Sequence, residues 1–160
     1  VPTESEIKNL TTAFPPNPID PVAAFSEWGG TYTDAERFRQ GVRGRLWTEL
    51  ETAFLERNHD ALVFLGPASI ADYLPAYMAS LLRRDPELSA LPSFLFGVLT
   101  RRQDPERFDT RFAHLTMTQR EAIASALASY ERDVDGTSRK QDVAEALDSY
   151  WRSLVAGKGA

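Results

Sequence analysis

Apolar side chains recur three and four residues apart along nearly the whole chain, and ten prolines and nine glycines cut that rhythm into short pieces. Such spacing stacks apolar residues along one face of a helix. The pattern predicts an all-α fold: one irregular bundle of about six to eight helices over residues 1–156, ending in an antiparallel helical hairpin, with 157–160 as a frayed tail. The single strand-like run is Ala61-Leu62-Val63-Phe64-Leu65. A lone strand is not stable by itself, so this run reads as a buried helix end or an extended connector.

Local signals divide the chain. Thr3 and Glu6 have the spacing of a capping box, ahead of Ile7, Leu10 and Phe14. Pro15, Pro16, Pro18 and Pro21 end that helix, and a helical turn is expected over Val22–Phe25 before Gly29-Gly30. Asp34 can cap a segment carrying Phe38 and Val42, after which Leu46, Trp47, Leu50, Ala53 and Phe54 form a stripe on a helix reaching Arg57. From Ile70 to Leu81 the pattern is helical with Pro75 inside it. An interior proline costs about 3 kcal/mol, which predicts a kink or fresh start near Leu74–Pro75. Pro92 leads into a core helix carrying Phe94, Leu95, Val98 and Leu99, followed by a polar loop anchored by Phe108, Phe112 and Leu115. Thr118 with Glu121 has the spacing of a second capping box. Ser138 is placed to start the last helix, which carries Val143, Leu147, Tyr150, Trp151 and Leu154 on one face.

Composition removes whole classes of chemistry. A chain of 160 residues, 42% hydrophobic and 26% charged, fits one globular domain that needs neither disulfide nor metal to fold. With no cysteine there is no thiolate zinc site, iron–sulfur cluster or thiol nucleophile. The same absence suits a reducing cytoplasm, the expected location, although the chain opens on Val1 rather than Met, which leaves a removed leader open. No run approaches the roughly 20 apolar residues of a membrane span. A net charge of −5 opposes general nucleic-acid binding and permits a basic partner.

Catalytic constellations are fragmentary. A nucleophilic triad would need His59 or His114 as its base, and no Gly-x-Ser-x-Gly elbow accompanies either. Glu56 and His59 have the Glu-x-x-His spacing of di-iron bundles, but that site needs a second pair, and Arg111 stands where the glutamate before His114 should be. The run Glu131 to Asp142 has the skeleton of a calcium loop, with carboxylates at loop positions 1, 3, 5 and 12 and glycine at position 6. Glu at position 1, Ser at position 8, a short Asp at position 12 and the cations Arg139 and Lys140 depart from it. An acidic helix end followed by an Asp-Gly turn explains the same residues without an ion. These residues assign no catalytic position, metal ligand or cofactor.

The segments Phe64-Leu65-Gly66-Pro67 and Tyr73-Leu74-Pro75-Ala76-Tyr77-Met78, with Trp47-x-x-Leu50 before them and Thr116, Gln119 and Ile123 after, carry a resemblance. Over roughly Phe14 to Asp133 the chain resembles a family of small uncharacterised bacterial helical proteins. It departs at Ala71-Asp72, where an aromatic residue often precedes the tyrosine. The resemblance implies a helical fold and no catalytic residue.

The expected function is a non-enzymatic protein-binding domain of bacterial type, such as an immunity or inhibitor protein for a toxin or effector, with a basic protein as partner. Asp72 and Tyr73, at the edge of the main stripe, and the acidic turn at Asp133 and Asp135 are the expected contact residues. Two alternatives stand beside it: an enzyme assembled around His59 or His114, and a weak calcium binder using the Glu131–Asp142 loop.

Overall fold

A computed structural model describes residues 2–18, 32–64, 66–67 and 69–159. Every regular element among them is helical, as the spacing predicts. The expected turn at Val22–Phe25, the Gly29-Gly30 break and Leu65 of the proline turn lie outside the described residues.

One helix organises the rest. We label in chain order α1 (Pro2–Ala13), α2 (Tyr32–Val42), α3 (Thr52–Arg57), α4 (Ala61–Phe64), α5 (Ile70–Arg83), α6 (Leu91–Leu99), α7 (Pro105–Arg111), α8 (Met117–Asp133), α9 (Thr137–Ala146) and α10 (Arg152–Gly159). Helix α5 is buried without interruption from Tyr73 to Leu82, the pattern of a helix enclosed on all sides. It touches α1, α3, α6 and α8. Of the kink or fresh start expected at Leu74–Pro75, the fresh start does not occur: Pro75 sits inside one continuous helix. The helix ends at Arg84, whose left-handed backbone (φ 51°) is an unusual conformation for a residue with a side chain.

Tertiary hydrogen bonds explain where short elements replace the expected long ones. The stripe from Leu46 to Arg57 is not one helix but a 3-10 turn, Trp47–Glu49, followed by α3. Leu46, Leu50 and Glu51 are extended. The break lets the Trp47 indole donate to the Phe14 carbonyl at 2.9 Å, while Gln119 Nε2 donates to the Ala13 carbonyl at 3.3 Å. Both bonds serve carbonyls at the end of α1 that have no partner within the helix. Glu6 does not close a capping box, since α1 already begins at Pro2, and its carboxylate instead accepts from Ser125 Oγ on α8 at 3.1 Å. Helix α8 is capped by Thr116 with Gln119, two residues before the expected Thr118–Glu121 box.

The C-terminal face matches expectation more closely. Val143, Leu147 and Trp151 are buried, and Tyr150 and Leu154 pack against the core. Between α9 and α10 the helix widens to a π-helical turn over Leu147–Trp151. The expected polar loop after Gln103 is instead the short helix α7, capped by Asp104 and opened by Pro105. Phe108, Phe112 and Leu115 anchor it, with the two Phe rings 5.8 and 5.6 Å from the Trp151 ring.

Candidate functional site

Both ends of helix α6 are satisfied by residues distant in sequence. Ala90 precedes it and offers no side-chain acceptor, so the first N–H groups need a partner from elsewhere. Glu56 supplies it: one carboxylate oxygen accepts from the Ala90 N–H at 2.5 Å and the other from the Leu91 N–H at 3.0 Å. A carboxylate there also faces the positive end of the helix dipole. At the far end the Trp151 indole donates to the Leu99 carbonyl at 2.8 Å, and Ser149 Oγ accepts from the Arg101 N–H at 3.0 Å. Trp151 and Ser149 both belong to the π-helical turn, which aims the two side chains at this helix end.

The inner side of this pinned helix is core, and its outer side is open. Leu91, Leu95, Phe96, Val98 and Leu99 are buried, while Ser93, Phe94 and Gly97 face outward. Phe94, expected in the core, is 40% exposed, and the His59 ring packs against its edge at 4.4 Å. A groove runs along each side of the Ser93–Gly97 ridge. The first, of about 430 Å³, is lined by Phe94, Val63, Val98, Asp104, Arg107 and Arg111. The second, of about 290 Å³, is lined by Phe96, Thr100, Asp142 and Glu145. Arg111 is only 6% exposed. Burial, followed by the like charge of Arg107, lowers its guanidinium to about 10, still protonated at neutral pH.

The residues expected to meet a partner divide. Asp72 is exposed on α5, and partial burial raises its carboxyl above the usual value. Tyr73 is not at the surface: it is fully buried, with the Phe38 ring edge-on at 5.0 Å. Its neighbours Leu74, Ala76 and Tyr77 are buried too, so the off-stripe position that marked Tyr73 as exposed still meets packed helices. Asp133 and Asp135 are exposed, and Asp133 lies 3.8 Å from Arg84 and 3.7 Å from Arg132.

The two ends of the calcium-like run fall in different helices. Glu131, first in the calcium-like loop, sits within α8 and is gripped by Arg152 at 2.8 and 3.0 Å, while Asp142, the twelfth, lies inside α9. Among the described residues no three His, Asp or Glu side chains are grouped to hold a metal ion. Both Glu56 oxygens are turned to the Ala90 and Leu91 N–H groups at the start of α6. His59 Nδ1 lies 2.7 Å from the Glu56 carbonyl, an acceptor, which fixes the proton on that nitrogen. His114 is exposed on the turn after α7.

Sequence reasoning missed the outer face of α6 because Phe94 shares the spacing of its buried neighbours. The available signal was Gly97, an interior helical glycine three residues after Phe94 and four after Ser93. Residues 22–155 match the model of a family of unknown function, DUF6714, and the chain belongs to that family. No curated protein and no solved structure matches it. No helix among the described residues is long and apolar enough to cross a membrane.

Proposed function

With membership of that family as the premise, we propose that the protein is a non-enzymatic protein-binding domain of bacterial type, an inhibitor of the immunity-protein class, and that it binds through the outer face of α6. The observation that carries this reading is Phe94, a large aromatic ring 40% exposed on a helix tied down at both ends. Aromatic residues dominate binding energy at protein interfaces. An anchor on a fixed element loses little conformational freedom on binding.

Charge supports a basic region on the partner. Asp142 and Glu145 line one groove of this face, and the acidic turn at Asp133 and Asp135 immediately precedes the helix that carries them. The test compares the chain with a Phe94→Asp variant, each immobilised in equal amount and offered a lysate of the source organism. A stoichiometric partner held by the first and lost by the second is expected. Equal recovery on both, or no partner on either, overturns the reading.

A further inference from the structure

We infer that the outer face of α6 is self-complementary and that, with no other partner present, a second copy of the chain closes it, the two α6 helices lying parallel across a two-fold axis. This rests on the reading of that face as a binding surface and names one occupant for it.

The first support is Gly97. A methyl group built there meets nothing within 4 Å among the described residues, so no described contact requires glycine. Glycine in a helix interior costs about 0.5–1 kcal/mol relative to alanine. What it provides is bare backbone that another helix can approach closely, beside an exposed Phe94.

The second support is the arrangement of charge. One side of the Ser93–Gly97 ridge carries the exposed Arg107, with Arg111 buried beside it, and the other carries Asp142 and Glu145. Asp104, also on the cationic side, caps α7 by accepting from the Arg107 backbone N–H at 3.0 Å. Arg102 approaches Glu145 at 3.8 Å in a pair largely open to solvent, where such a contact contributes little.

Symmetry then selects one geometry. In a two-fold contact, whatever residue i of one copy touches, its equivalent touches in return. An axis across α6 would set acidic side against acidic side. An axis along α6 sets the arginine side of each copy against the carboxylate side of the other. It also carries Phe94, which lies on the arginine side, over the partner's groove beside Phe96, Gly97 and Thr100. One operation thus pairs the charges, seats the aromatic ring and brings the two bare glycines together.

Sedimentation velocity across a concentration series tests this, using the full chain, Arg107→Glu, Glu145→Lys and an equimolar mixture of the two variants. Both positions are exposed, and thermal melts confirm folding. The parent is expected to dimerise, each reversal to weaken dimerisation about tenfold or more, and the mixture to recover it, because each mismatched side then meets its complement. A parent that stays monomeric throughout, reversals that dimerise like the parent, or a mixture no better than its components overturns the inference. A monomeric parent that still captures a protein through Phe94 sinks only the self-association. A dimer whose Phe94→Asp form captures as well as the parent sinks only the proposed function.

Discussion

The Glu56 carboxylate lies 3.0 Å from the Leu91 backbone nitrogen, and through that bond α3 supplies the N-terminal cap that α6 lacks. Capping of this kind is usually local, from a Ser, Thr, Asp or Asn side chain at the helix start. Here 35 residues separate donor and acceptor, so the bond both ends a helix and holds two elements together.

Glu56→Ala should therefore lower stability by about 1–2 kcal/mol, as the loss of a cap with charge-assisted bonds requires. Glu56→Gln keeps an acceptor and should lose less. Urea denaturation of the two variants measures both, and equal, negligible losses would remove the cap from the description.

At the other end of α6, Trp151→Phe should cost about 1–3 kcal/mol, because the buried Leu99 carbonyl loses its indole partner at 2.8 Å. The ring contacts with Phe108 and Phe112 are partly kept, which separates the hydrogen bond from packing. Thermal melting with retained helical circular dichroism checks this. A variant as stable as the parent would make the indole N–H irrelevant.

Two helical glycines should respond to alanine with opposite sign. Gly97→Ala should stabilise the monomer by about 0.5–1 kcal/mol, since no described residue crowds the new methyl group and alanine favours helix. Gly41→Ala should destabilise, because the new methyl carbon would lie 2.1 Å from the Phe54 ring, far inside contact distance. Denaturation midpoints taken at a concentration where the chain is monomeric decide both, and a shared sign contradicts the packing.

The hydrogen bond from Arg101 holds the Asp109 carboxyl below the usual 3.8, with both guanidinium contacts at 2.9 Å. A carboxylate lowered on folding contributes stability that is fully present above its unfolded value and is lost as pH falls through its folded value. Arg101→Gln should move the Asp109 titration midpoint upward in a carboxyl NMR titration. An unmoved midpoint would show that Arg101 is not the cause.

Much of this architecture was legible because amphipathic spacing is local. Leu10, Phe38, Val143 and Leu147 declare themselves as core by their neighbours three and four residues away, and they are buried. The turn at Asp135-Gly136 was equally plain, with Gly136 at φ 98°. What spacing could not convey was tertiary choice. The break at Leu50-Glu51 goes with an indole reaching Phe14, and the burial of Tyr73 goes with Phe38 arriving from another helix. The continuity of α5 through Pro75 goes with burial on every side. The candidate face was hidden for the same reason: Phe94 and Leu95 are neighbours in an apolar run, and only the packing of α6 decides that one turns outward.

Photo-crosslinking tests the binding face without presupposing what occupies it. A light-activated phenylalanine analogue placed at Phe94 should yield a covalent adduct in cells of the source organism, with a second copy or with another protein. The same analogue at Met117, also exposed but on α8, should yield none. Adducts from position 117 with none from position 94 would contradict the assignment of α6 as the surface through which this protein binds.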